Sequence, residues 1–180
     1  MNSDVSLQYL QNLIRSIPDF PQPGIVFRDI TPLLADAQGL EFAVGAMAAP
    51  YKSQQVDLVV GAESRGFIFG TPIARVLNCG FIPIRKPGKL PADTISQEYE
   101  LEYGTDKLEI HADAIKPGQR ILMVDDLLAT GGTMCSCCQM VEQLGGQIVG
   151  ITFVIELAFL NGRSKLASYP IHSLISYEQE

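Results

Sequence analysis

Apolar residues recur at helical spacing near the start of the chain, where Leu10, Leu13, Ile14 and Ile17 share one stripe and Pro18 closes it, predicting an amphipathic helix over 7–17. Pro18, Pro21, Pro23 and Gly24 then force an extended, turning path, so the stretch through Ile25-Val26-Phe27-Arg28-Asp29 reads as loop. Thr31-Pro32 suits an N-cap followed by a first helical residue, and a longer helix is predicted over 39–51 with Phe42, Met47 and the alanines inward. The pattern then changes. A β-branched run over 56–61 predicts a strand, 61–66 a glycine-bounded loop and 67–77 a helix. A second short strand follows at 81–85, and Pro83, which cannot donate to a ladder, places it at a sheet edge or a strand end.

Residues 86–96 are rich in Pro, Gly, Lys and small polar side chains and read as a long surface loop. Tyr99, Leu101 and Tyr103 alternate with Glu98, Glu100 and Glu102, turn at Gly104 and meet Leu108 and Ile110, the pattern of an antiparallel hairpin that could serve as a lid. After the turn signal Lys116-Pro117-Gly118, a fully apolar strand over 120–124 ends in Asp125-Asp126 and belongs at the centre of a sheet. A loop over 127–133, a helix over 134–144 closed by Gly145-Gly146, and a last long strand over 147–156 complete the alternation. That order predicts an α/β fold, one domain over 1–180 with a mostly parallel central sheet flanked by helices.

Composition narrows the function classes. Thirteen basic against 20 acidic residues give a net charge of −7, which opposes broad nucleic-acid binding, so a polyanionic ligand needs a local basic pocket. Arg85, Lys86 and Lys89 form one short cluster of that kind, although a solvated loop would look the same. No apolar run approaches the ~20 residues of a membrane helix, and the first residues lack the pattern of a secretory leader, so a cytoplasmic location is expected. Cys79, Cys135, Cys137 and Cys138 make a poor disulfide framework and are expected to be free thiols, the last three packing one helix. His111 and His172 have no neighbouring nucleophile or metal cluster in sequence.

The strongest local signal is Val124-Asp125-Asp126-Leu127-Leu128-Ala129-Thr130-Gly131-Gly132-Thr133, in which an apolar strand delivers two carboxylates and then a small-residue loop to a helix start. Backbone N–H groups around Gly131-Gly132 and the helix N-terminus can cradle a phosphate, with the Thr130 and Thr133 hydroxyls as extra donors. Asp125 and Asp126 can accept from neighbouring sugar hydroxyls, so a phosphorylated ribose satisfies both halves. Taken singly, the pair could merely end a strand and Gly131-Gly132 merely make a turn capped by Thr133. Competing phosphate motifs fail: no G-x-G-x-x-G follows a strand, and after the Gly61 to Gly66 spacing Phe67-Ile68 stands where a P-loop requires Lys and Ser/Thr.

This segment resembles the 5-phosphoribosyl-1-pyrophosphate signature of type I phosphoribosyltransferases. Further stretches resemble the members of that family that act on adenine: Pro18-Asp19-Phe20-Pro21 with Pro23-Gly24-Ile25-Val26-Phe27-Arg28-Asp29-Ile30, then Glu63-Ser64-Arg65-Gly66-Phe67, Arg85-Lys86-Pro87-Gly88-Lys89-Leu90-Pro91, and Leu101-Glu102-Tyr103-Gly104. The resemblance implies transfer of the 5-phosphoribosyl group to N9 of adenine, giving AMP and pyrophosphate. It implies that Ala129, Thr130, Gly131, Gly132 and Thr133 hold the 5-phosphate and that Asp125 and Asp126 hold the ribose hydroxyls. Glu63, Ser64 and Arg65 are implied at the pyrophosphate, joined by Arg85, Lys86 and Lys89. Phe27 is implied to stack on adenine while main-chain groups of Val26 and Arg28 read its edge. Glu102 and Tyr103 are implied to close over the site, with Glu102 handling a purine proton.

The resemblance also implies Mg²⁺ carried mainly on substrate oxygens and waters, a base-binding hood at about 1–35, a flexible active-site loop at about 86–110, and a homodimer. Glu63 stands where some relatives carry Asp, and the cysteine-rich helix start is unusual. Two alternatives remain at this point: a phosphoribosyltransferase for another purine, separated only by the segment around Val26 to Arg28, and a non-catalytic phosphoribosyl-pyrophosphate-binding regulator. The second is opposed by the net acidity and by the lack of a helix-turn-helix pattern.

Overall fold

The apolar run Ile121-Leu122-Met123-Val124 lies at the centre of the sheet, and its alternation divides the core in two. Successive strand residues face opposite sides, so Leu122 and Val124 join one cluster with Val59, Phe69 and Met47, while Ile121 and Met123 join another with Val60, Cys137 and Val141. The computed structural model describes residues 6–100 and 105–179. Its elements run α1 (Leu7–Asn12), β1 (Arg15–Ile17), β2 (Phe27–Asp29), α2 (Thr31–Ala35), α3 (Ala37–Ala48), β3 (Leu58–Ala62), α4 (Arg65–Leu77), β4 (Gly80–Ile84), β5 (Thr94–Glu100), β6 (Thr105–His111), β7 (Arg120–Leu128), α5 (Gly132–Gln143), β8 (Gln147–Leu157) and β9 (Ile171–Tyr177). Short 3-10 turns occupy Ala49–Tyr51, Ala158–Leu160 and Gly162–Leu166.

Five strands form one sheet in the order β4-β3-β7-β8-β9, every pairing parallel. Helices α3 and α4 supply the core of one face and α5 that of the other, as parallel strands joined by crossover helices require. The sheet is the expected α/β architecture, with Pro83 on the edge strand β4 and β7 in the middle. Two small antiparallel pairs lie outside it, β1-β2 and the hairpin β5-β6, whose register runs from Thr94 opposite His111 to Glu100 opposite Thr105. No helix among the described residues is long and apolar enough to cross a membrane.

Several boundaries differ from the sequence pattern. The helix expected over 7–17 stops at Asn12, because Arg15–Ile17 leaves it to pair with Phe27–Asp29, a stretch expected to be loop. Arg15 meets Asp29 across that pair and Arg28 donates to the Ser16 hydroxyl. These long-range contacts outweigh a helical stripe that only Leu10 and Ile14 bury fully. Thr31 is not an N-cap: Asp29 Oδ1 accepts its N–H at 2.8 Å, and Asp36 caps α3 by accepting from Gly39 N–H at 2.7 Å. β5 begins at Thr94, inside the stretch read as surface loop, and the other hairpin strand buries Leu108 and Ile110 in the α5-side core. β7 continues past the aspartates to Leu128, so the following loop is shorter than 127–133 and α5 begins at Gly132. β9 was not expected at all; its mixed burial, with only Leu174 and Ile175 buried, gives a weak periodic signal.

Candidate active site

A cleft of about 480 Å³ opens where β3 and β7 end and their loops turn into α4 and α5, the crevice beyond the carboxyl ends of the strands that α/β folds offer to ligands. Its walls include Phe27, Glu63, Ser64, Arg65, Lys86, Asp125, Asp126 and the continuous run from Leu127 to Met134. Residues from five separate parts of the chain meet there, and β3 and β7, hydrogen-bonded neighbours with Gly61 opposite Val124, bring two of those parts together.

The aspartates sit toward the carboxyl end of β7, just before Leu127 and Leu128. Asp126 lines the cleft but is only 3% exposed, and its Oδ2 lies 3.0 Å from Arg65 Nε yet has no directed hydrogen bond, a buried oxygen with acceptor capacity left over. Asp125 Oδ1 accepts the Asp126 N–H at 2.9 Å. Burial pushes both carboxyls above the ordinary range; Asp126 pushes Asp125 further, whereas the Arg65 guanidinium opposes the rise at Asp126. Gly66, at the start of α4, packs so closely that a Cβ there would lie 2.9 Å from the Val124 carbonyl oxygen and 3.0 Å from Asp125 Oδ1. A side chain at that position would displace the carboxylate.

The phosphate-loop segment follows directly. Gly131 adopts φ +78° at the N-cap of α5, a left-handed conformation suited to glycine, and the 12-residue helix from Gly132 presents first-turn N–H groups that have no intrahelical acceptor. Ala129, Thr130, Gly131, Gly132 and Thr133 all line the cleft. Behind the loop stands a residue that no sequence motif marks, Gly162: a Cβ on Gly131 would come 2.5 Å from the Gly162 carbonyl oxygen, and one on Gly162 would collide with the Ala129 carbonyl. Its signal in sequence was a lone glycine in a polar stretch.

Opposite the aspartates, the Glu63–Ser64 peptide is cis and Ser64 and Arg65 face the cleft. The Glu63 carboxylate accepts the Lys86 N–H at 2.8 Å and lies 3.3 Å from Arg85 Nε. Burial works to raise this carboxyl, but the Lys86 N–H, Arg85 and Lys89 together hold it below its ordinary value. Lys86 Nζ lies 3.3 Å from Asp106 Oδ2 on the hairpin, and Asp106, which no sequence motif marks, also lines the cleft. Phe27 forms the outer wall, its ring edge-on to Phe20 at 5.2 Å and under the Arg65 guanidinium at 5.4 Å. It is half-buried, not a core aromatic.

Not every expected residue reaches this wall. Val26, Arg28, Arg85 and Lys89 do not line the cleft. The Arg28 side chain turns away to stack 4.0 Å over the Tyr177 ring, and the Arg85 guanidinium is occupied by Glu63 and the Lys89 carbonyl. Glu102 and Tyr103 lie outside the described residues. The four cysteines are free thiols as expected, and burial raises Cys137 and Cys138 well above the ordinary thiol range.

A parallel α/β sheet whose central strand delivers an acidic pair and a phosphate-cradling loop to one cleft defines a phosphoribosyl-transferring class of protein, and the family model for the phosphoribosyl transferase domain matches residues 33–169. Within that class the chain belongs to the adenine phosphoribosyltransferase family. It is 57% identical over 169 residues to the adenine phosphoribosyltransferase of Clostridium perfringens, covering 94% of this chain and 98% of that one. It is 56% identical to that of Rhodopirellula baltica, covering 93% and 82%. The crystal structure of the Thermoanaerobacter pseudethanolicus enzyme superimposes with a TM-score of 0.93 at 53% identity over 96% of this chain and 100% of that chain. The Saccharomyces cerevisiae enzyme, solved in complex with an iminoaltritol bisphosphate and adenine, gives 0.89 at 39% identity over 93% and 97%.

Proposed function

We propose that this chain transfers the 5-phosphoribosyl group of 5-phosphoribosyl-1-pyrophosphate to N9 of adenine, releasing AMP and pyrophosphate. One observation carries the reading: a single cleft brings together the Asp125-Asp126 pair, the loop from Ala129 to Thr133, Arg65 and Lys86, and the Phe27 ring. These suit, in turn, a ribose, its 5-phosphate, a pyrophosphate and a purine. The yeast relative's complex with adenine supports the choice of base.

In this reading the loop amides and the Thr130 and Thr133 hydroxyls anchor the 5-phosphate at the α5 N-terminus. Asp126 Oδ2 takes a ribose hydroxyl, and Arg65 meets the departing pyrophosphate with Lys86. As the bond to pyrophosphate stretches, positive charge grows at ribose C1 and the carboxylates below favour it, while adenine held against Phe27 attacks from the opposite face. Val26 and Arg28 flank Phe27 without lining the cleft wall, and this reading assigns only their main-chain groups to the base edge. In this reading Mg²⁺ is carried mainly by the substrate and water, with Lys86 and Arg65 beside it on the pyrophosphate side, and would neutralise the leaving group. To Glu102 this reading assigns the purine proton. The same reading makes the protein cytoplasmic and a homodimer, which the exposed Ile68 and Val76 on α4 suit.

Purified protein offered phosphoribosyl pyrophosphate and Mg²⁺ with adenine, hypoxanthine, guanine and xanthine in parallel should form nucleotide from adenine alone. Product from another base would overturn the role of Phe27, and no product from any base would overturn catalysis. Glu102→Gln should lower kcat by on the order of 10²-fold with substrate KM values little changed; unaltered turnover would remove the proton-transfer role.

A further inference from the structure

Glu156 is 5% exposed, sits near the end of β8 and lies in register with Leu128, the last residue of β7 before the phosphate loop. Its two oxygens take Arg163 Nε and Nη2 at 2.6 Å each, a forked pair. Arg163 also donates to the Ile171 carbonyl at 3.4 Å and the Ser173 hydroxyl at 3.3 Å, so β8, β9 and the 3-10 turn at Gly162–Leu166 are tied at one guanidinium. The residue immediately before Arg163 is Gly162, whose backbone is in contact with Ala129 and Gly131. Neither charged side chain lines the cleft.

We infer that Arg163 and Glu156 are positioning residues that set the phosphate loop through the backbone of Gly162, and so govern affinity for a 5-phosphorylated ribose. The inference rests on the phosphoribosyl reading above. The physical reason is the closeness of the packing: the Gly162 carbonyl fills the space where a side chain on Gly131 would stand, so the left-handed turn at Gly131 cannot move without moving Gly162. Gly162 in turn is held by the peptide bond to Arg163. The pyrophosphate side of the cleft is built by Ser64, Arg65 and Lys86, which stand on other elements.

Calorimetric titration of ribose 5-phosphate and, separately, of pyrophosphate with Mg²⁺ tests this on the wild type and on Arg163→Lys, Glu156→Gln and Gly162→Ala. Lysine keeps the charge but loses the fork. Each variant should weaken ribose 5-phosphate by about ten-fold or more while pyrophosphate stays within about two-fold. A general structural defect would weaken both ligands alike and overturn the inference, as would variants that bind ribose 5-phosphate like the wild type. A Gly162→Ala that alone keeps full affinity would overturn the route through Gly162. Should one charge variant fail to fold, the other and Gly162→Ala still decide. A wild type that does not bind ribose 5-phosphate would instead overturn the phosphoribosyl reading.

Discussion

Asp125 and Asp126 are adjacent carboxylates largely withdrawn from water, and the nearest cation, Arg65, reaches only Asp126 by an ion pair. Burial and then Asp126 raise the Asp125 carboxyl above its unfolded value near 3.8. The sign follows from linkage. A carboxyl whose folded value is raised destabilises the fold when ionised; the cost is full above the folded value, shrinks as pH falls through it and vanishes below the unfolded one. Asp125→Asn removes the charge but keeps an oxygen to accept the Asp126 N–H. We therefore expect it to be more stable than the wild type at pH 7.5 by about 1–2 kcal/mol, or roughly 2–8 °C in Tm for a chain of this size. The gain should narrow toward pH 4, while kcat/KM falls by on the order of 10²-fold. Scanning calorimetry at the two pH values checks this, and an unchanged or lower Tm at pH 7.5 would sink it. The pair itself was legible in sequence because strand, acid and glycine follow one another. What Glu63 does was not: its partners Arg85 and Lys86 are brought to it by β4, and no local pattern announces that.

At the scale of elements, the sheet was legible wherever apolar runs were long, as in β7 and β8, and illegible where pairing was decided far away. The β1-β2 pair shows this. Asp29 holds its Arg15 end, its Oδ2 meeting Arg15 Nε at 3.1 Å while its Oδ1 accepts the Thr31 N–H at the start of α2. Thr31 first and Arg15 next hold the Asp29 carboxyl down at about 2. A depressed carboxyl contributes stability that is present above the unfolded value of 3.8 and is lost only as pH falls through about 2, so this link should be constant across neutral pH. Phe27 is the residue that the pair presents to the cleft. Asp29→Ala should therefore raise KM for adenine several-fold and leave KM for phosphoribosyl pyrophosphate unchanged. Equal increases in both constants would mean that β1-β2 supports the whole cleft and not its base side. β9 was missed for the same reason: its pairing with β8 is set by the sheet, and its own pattern, two buried residues among seven, is too sparse to announce a strand.

Across the whole molecule, charge poses the remaining question. The chain carries a net −7, and the described cleft wall holds Glu63, Asp106, Asp125 and Asp126 against Arg65 and Lys86. A polyanionic substrate thus meets a wall with more acids than bases, inside an acidic protein whose distant charges are screened beyond about 8 Å at physiological salt. The loop amides at α5 offset part of that repulsion. In the proposed reaction the rest is neutralised by Mg²⁺ carried on the substrate. Initial velocity should then follow the concentration of the Mg²⁺ complex of phosphoribosyl pyrophosphate and fall to background when the ion is chelated. Calorimetry on the protein alone should detect no Mg²⁺ binding tighter than about 1 mM. Stoichiometric binding to the free protein below that range would place the ion on side chains and make the acidic wall, which otherwise depends on a neutralised substrate, a metal site in its own right.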